Sequence, residues 1–126
     1  MYIYYNPNPD KRKVGDCTIR ALSKALNTTW EQAYILAASK GYEIGDMPSA
    51  NSVWGAVLRD RGFYRAAVPN YCPDCYTVKD FCDDNPIGTF VLGTGTHAVT
   101  VIDGDYYDAW DSGREIPQYI FYKIGG

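Results

Sequence analysis

The stretch Thr96-His97-Ala98-Val99-Thr100-Val101-Ile102-Asp103-Gly104 opens what reads as a β-hairpin, and its first strand begins at the only histidine of the chain. β-Branched residues run up to Asp103-Gly104, a dipeptide suited to a tight hairpin turn, and Tyr106-Tyr107-Asp108-Ala109-Trp110 forms the returning strand. About eighty residues earlier stands Gly15-Asp16-Cys17-Thr18-Ile19-Arg20-Ala21-Leu22. Asp16 is placed to cap a helix with Cys17 in its first turn, and Ile19, Leu22, Ala25 and Leu26 recur at helical spacing as its buried face.

Working outward from the hairpin, strands are expected over 88–93 and 118–124, which makes the C-terminal part an antiparallel sheet. Towards the N-terminus the pattern is helical. Thr28-Thr29-Trp30-Glu31-Gln32 starts a second helix, with capping-box spacing at both Thr28/Glu31 and Thr29/Gln32. That helix is expected to stop at Gly41. Ser49 is placed to cap a third helix through Val53, Trp54, Val57 and Leu58, stopping at Gly62. Thr77 is placed to cap a short fourth helix over 78–83, ended by Asn85-Pro86. Short strands fit 2–5 and 63–68, and 69–76 reads as a loop. The resulting fold class is α+β, with an N-terminal helical half packed on a C-terminal antiparallel β-sheet. A length of 126 residues without internal repeats fits one domain over 1–126.

Hydrophobic residues make up 46% and charged residues 21% of the chain, an ordinary balance for a folded protein. A net charge of −3 offers no electrostatic footprint for nucleic acid, and Lys11-Arg12-Lys13 reads as a solvated loop. Met1-Tyr2-Ile3-Tyr4-Tyr5 runs straight into Asn6-Pro7-Asn8-Pro9, unlike a signal peptide, and no apolar run reaches the length of a membrane span. The expectation is a cytoplasmic protein with neither nucleic acid nor membrane as partner. In a reducing compartment the four cysteines point to metal binding or reactivity before disulfides.

A thiol attacks carbonyl carbon as its thiolate, and a helix N-terminus stabilises that anion. Cys17 sits where this operates, and His97 is the only imidazole able to pair with it. Hairpin register nominates the third group. With a three-residue loop, His97 faces Asp111. With a two-residue loop, His97 faces Trp110, Val99 faces Asp108, and Asp108 lies diagonal to His97. Asp111 is the first choice and Asp108 the second.

These segments resemble the papain-like cysteine peptidase superfamily, most of all its small bacterial and phage-type, C39-like members. There a nucleophile opens the first core helix, a base opens a strand of the following sheet, and an Asp or Asn on the next strand orients it. Tyr107-Asp108-Ala109-Trp110-Asp111-Ser112-Gly113 resembles sequences of uncharacterised bacterial and phage proteins of this type. The resemblance implies a papain-like fold and a Cys17–His97–Asp111 triad. It implies a peptidase or amidase acting by acyl transfer on a peptide or protein, without a cofactor, in a bacterial or phage-infected cell. The superfamily places a Gln several residues before the cysteine to donate to the oxyanion; here Asn8 or Asn6 takes that place beside the Cys17 N–H.

Two alternatives stand beside this one. A catalytically inactive papain-like module binds a protein or peptide through the same fold. A zinc-stabilised domain uses Cys72-Pro73-Asp74-Cys75 with Cys82, completed by Asp74, Asp83 or His97. Gly93-Thr94-Gly95-Thr96 leaves room at the His97 end of the sheet, and Trp54 and Trp110 suit either a groove wall or the core.

Overall fold

Period-two alternation in the central strands divides the buried side chains between two faces of one sheet. Val91 and Ala98 turn to one cluster with Leu22, Ala37, Trp54 and Leu58. Their neighbours Leu92 and Val99 turn to another with Val78, Phe81 and Cys82. A computed structural model describes residues 1–69 and 75–123. The elements are β1 (Tyr2–Tyr4), α1 (Cys17–Ala25), α2 (Trp30–Ile44), α3 (Asn51–Asp60), β2 (Phe63–Ala67), α4 (Val78–Asp84), β3 (Thr89–Gly93), β4 (Ala98–Ile102), β5 (Asp105–Asp108) and β6 (Tyr119–Lys123). The strands form one sheet in the order β1-β5-β4-β3-β6-β2. α1 and α3 pack on one face, and α4 belongs to the cluster on the other.

The α+β class is as expected, but the division into halves is not. The sheet is mixed, because β1 runs parallel to β5, with Tyr4 beside Asp108. β2 pairs antiparallel with β6 at the opposite edge. Both edge strands thus come from outside the C-terminal block. The central antiparallel strands could be expected from local alternation, whereas an edge strand joins wherever a free ladder remains.

α1 is the buried helix of the fold. Thr18 to Ser23 are all buried, because the helix lies between β4 and α2. Full burial of a side chain such as Leu22 contributes about 1.5–3 kcal/mol. The Thr100 hydroxyl donates to the Ala21 carbonyl at 2.7 Å and pins the helix to β4. Of the polar side chains carried inside, Ser23 meets Tyr5 and the Thr28 carbonyl, whereas the Thr18 hydroxyl has no hydrogen-bond partner among the described residues.

Of the two capping-box pairs expected for α2, Thr29 with Gln32 forms. Helix boundaries differ in two places. α2 then continues through Gly41 to a left-handed Gly45. Gly41 is needed for close approach instead: a Cβ there would lie 2.7 Å from the Asp46 carbonyl oxygen. Ala50, not Ser49, holds the N-cap of α3, without a side-chain cap. Thr77 caps α4 as expected, in a reciprocal box with Asp80.

The hairpin turn decides the register that matters. Asp103 (φ 50°) and Gly104 (φ 82°) are both left-handed, the requirement of a two-residue turn whose twist matches the strands. Ile102 therefore faces Asp105, and Thr100 faces Tyr107. The Asp103 side chain accepts from the Gly88 N–H at 2.9 Å and ties the turn to the start of β3. Among the described residues no helix is long and apolar enough to cross a membrane.

Candidate active site

Cys17 is the first residue of α1, half-buried, at the open end of the helix. Asp16 occupies the N-cap position but makes no side-chain cap. Its carboxylate turns away instead, accepting from Arg20 Nη1 at 2.9 Å and from Trp30 Nε1 at 3.0 Å. The first-turn N–H groups thus stay available beside the sulfur, and Arg20 neutralises the charge that would otherwise oppose a thiolate.

His97 precedes β4. Its N–H donates to the Thr94 hydroxyl at 3.1 Å, and the Thr94 N–H returns to the His97 carbonyl at 2.9 Å. Trp110 covers the ring at 4.7 Å between centroids. Nε2 lies 2.7 Å from Asp108 Oδ2, and the Cys17 thiol is near enough to the ring to raise its pKa.

Asp108 ends β5 and is fully buried. Oδ2 also accepts from Ser112 Oγ at 2.6 Å, and Oδ1 accepts from Arg20 Nε at 3.1 Å and the Ala109 N–H at 2.8 Å. β1 and the residue after it brace the same residue, since the Tyr2 hydroxyl and the Tyr5 N–H both donate to the Asp108 carbonyl. Four donors on one carboxylate fix its orientation and favour its ionised form.

His97 thus meets Asp108, the second choice from the hairpin register, and not Asp111, the first. Asp111 accepts from the Tyr106 hydroxyl and the Gly113 N–H, in a separate cleft with Tyr2, Lys79 and Arg114. The two-residue turn makes Asp108 the diagonal neighbour of His97, as the second register requires.

Charges follow from this geometry. Burial alone would raise the Cys17 thiol. The His97 hydrogen bond, the Ala98 N–H and the positive charges of His97 and Arg20 outweigh it and hold the thiol below its ordinary value. Burial pulls the His97 imidazole down, but Asp108 and Cys17 push it up to about 9. Burial likewise opposes ionisation of Asp108, yet His97, Ser112 and Arg20 hold its carboxyl below the usual range. The arrangement favours a thiolate–imidazolium pair backed by a fixed carboxylate.

The two asparagines differ. Asn6 accepts from the Asn8 N–H at 3.2 Å and donates to the Arg12 carbonyl at 3.4 Å, so its amide organises the loop. Asn8 Oδ1 accepts from the N–H groups of Asp10 and Arg12. That leaves the Asn8 amide N–H₂ with no acceptor among the described residues, in a cleft shared with Gly15, Asp16 and Thr18. Cys17 and His97 line a neighbouring cleft of about 200 Å³ with Gly15, Ser49, Asn51 and Gly95. Trp54 belongs to the core and gives its indole N–H to Asn51, while Trp110 covers His97.

Of the proposed zinc ligands, Cys72 and Asp74 lie outside the described residues, and Cys75 is disulfide-bonded, contrary to the expected free thiols. Cys82 packs in the core with Val78, Phe81 and Leu92, where burial pushes its thiol up to about 11. Among the described residues no three His, Cys, Asp or Glu side chains converge to hold a metal ion.

Arg20, Ser112 and Asn51 escaped sequence reasoning. Arg20 carried one signal, its i,i+4 spacing from Asp16; the other two meet the site only through tertiary contact. No protein-family model, curated protein or solved structure matches the chain.

Proposed function

We propose that this protein is a papain-like cysteine hydrolase, a peptidase or amidase, whose triad is Cys17, His97 and Asp108. The observation that carries this is the continuous chain from a thiol held low, through an imidazole held high, to a buried carboxylate with every lone pair directed. A structural histidine needs no thiol beside its ring, and a packed cysteine has its pKa raised, as at Cys82. The helix-borne cysteine, the histidine before a strand and the carboxylate on the next strand also follow the superfamily's order.

In the proposed reaction the Cys17 thiolate attacks an amide carbonyl carbon. The Cys17 N–H and the Asn8 amide stabilise the oxyanion. The His97 imidazolium gives its proton to the departing amine, leaving a thioester on Cys17. Neutral His97 then takes a proton from water, whose oxygen attacks the thioester. The acid leaves, and the thiolate–imidazolium pair returns. Asp108 holds the ring and stabilises its charged form; it does not itself take the proton.

Alkylation with iodoacetamide, followed by mass spectrometry across pH, tests the reading. Cys17 is expected to react faster than a free model thiol at pH 6, and far faster than Cys82. Reaction no faster than the model thiol, or hydrolase activity that survives Cys17→Ala, removes the mechanism.

A further inference from the structure

α3 starts without a side-chain cap, so the first-turn N–H groups of Asn51 and Ser52 have no side-chain acceptor. These residues open a second cleft of about 230 Å³, walled by Arg59 of α3 and Arg65 of β2 and floored by Tyr119 and Phe121 of β6. Asn51 lines this cleft and the one holding Cys17 and His97, so the two are neighbours across that residue. The Cys17 charge reaches Tyr119, adding to burial in raising the phenol.

The cleft is cationic, and its cations are uncompensated. Neither Arg59 nor Arg65 forms an ion pair among the described residues, and Asp60, next to Arg59, is held by Lys40 at 2.6 Å. Arg65 lies 4.4 Å above the Tyr119 ring and Arg59 5.8 Å from Phe121, positions that settle guanidinium groups on aromatic faces. Asp46 is held by the cleft residue Ser52, its oxygens accepting from the Ser52 hydroxyl and the Met47 N–H. Tyr119 is 9% exposed, and its hydroxyl is buried with no hydrogen-bond partner. It lies against Gly93, where any Cβ would collide with the phenol ring. Two guanidinium groups without ion-pair partners among the described residues and an uncapped helix start on one cleft suit an oxyanion.

We propose that this cleft is a substrate subsite that binds an acidic side chain of the chain whose carbonyl is presented to Cys17. The shared chemistry is an oxyanion, supplied by the carboxylate of Asp or Glu or by a phosphorylated residue. This rests on the acyl-transfer reading of Cys17 and His97 and names its substrate class.

The test uses a fluorescein-labelled peptide library in which one position is glutamate, glutamine or phosphoserine. Binding to the Cys17→Ala protein is followed by anisotropy, and turnover by the unaltered protein is followed in parallel. Glutamate peptides are expected to bind at least about tenfold more tightly than their glutamine counterparts. The ratio falls towards one in Arg59→Gln/Arg65→Gln and survives in part in Arg59→Lys/Arg65→Lys, with circular dichroism confirming the fold. Should the double variant not fold, Arg65→Gln alone gives the same reading. Phosphoserine binding above glutamate assigns the anion to a phosphate. Equal binding of acid and amide, or no binding by any peptide, overturns the subsite. Acid preference in binding without turnover leaves the subsite standing and removes the hydrolase reading; turnover without acid preference does the reverse.

Discussion

Arg20 Nε lies 3.1 Å from Asp108 Oδ1, on the carboxylate oxygen that His97 does not use. Arg20 sits one turn beyond Cys17 on the same helix and also binds Asp16 at 2.9 Å. The helix that carries the proposed nucleophile therefore carries the cation that holds the orienting carboxylate. Charge alternates along Asp16, Arg20, Asp108, His97 and Cys17, so each ionised group is flanked by its opposite in a poorly solvated place.

Asp108→Asn is expected to lower turnover on the order of 10²-fold or more, because the ring loses the anion that stabilises its charged form. Asp111→Asn, at an exposed side chain that accepts from Tyr106 and Gly113, should change stability by about 0.5 kcal/mol or less and leave turnover near normal. Alkylation rate of Cys17 at pH 6 reads the same difference without a substrate. A larger loss at Asp111 would reverse the assignment.

The pH profile has a defined direction. Thiolate absorbance near 240 nm should persist below the ordinary thiol range, since the Cys17 thiol is held low. Hydrolysis should decline as pH rises through about 9, where His97 loses the proton it must donate. Stability follows the same sign: a histidine raised from 6.5 to about 9 contributes fully below 6.5, and the contribution is lost as pH rises through about 9. Asp108, held low, contributes above the ordinary carboxylate value and loses that contribution in acid. Urea midpoints measured from pH 6 to 10 should fall in the unaltered protein and fall less in His97→Ala.

Arg20→Met should destabilise by about 3–5 kcal/mol, because two buried carboxylates lose their shared cation. The same variant should raise the Cys17 thiol, on which Arg20 exerts a lowering charge. Arg20→Lys keeps the charge but cannot span both acids with one planar fork, so a smaller loss is expected. Urea unfolding and thiol titration measure the two effects separately; a neutral Arg20→Met would show that the network contributes nothing.

Asn8→Ala should cut kcat by about 10²–10³-fold while leaving Cys17 alkylation near normal, the signature of a lost oxyanion donor. Asn6→Ala should act on folding instead, because its amide joins Asn8 and Arg12. If Asn8→Ala is silent and Asn51→Ala is not, the donor comes from α3.

Much of the architecture was legible because it depends on local chemistry. Thr77 and Thr29 announce their helices through side chains that bond three residues away. β-Branched residues running up to Asp103-Gly104 announce the strand Ala98–Ile102. Edge strands were not legible as partners, since nothing within Tyr2–Tyr4 says that Asp108 waits beside Tyr4. Gly41 misled because glycine serves equally as a stop signal and as room for a close backbone.

By itself the sequence determined the α+β class, the helix start at Cys17 and the strand entry at His97, all matters of periodicity and capping over a few residues. Tertiary structure alone decided which aspartate meets the histidine. Asp108 and Asp111 are equally good carboxylates three residues apart, and only the left-handed pair Asp103 and Gly104 selects the register that favours the first. It also decided that Asp16 would serve Arg20 rather than cap its helix. That choice depends on where a buried guanidinium finds its second carboxylate, and the second carboxylate is Asp108, 88 residues away in the chain.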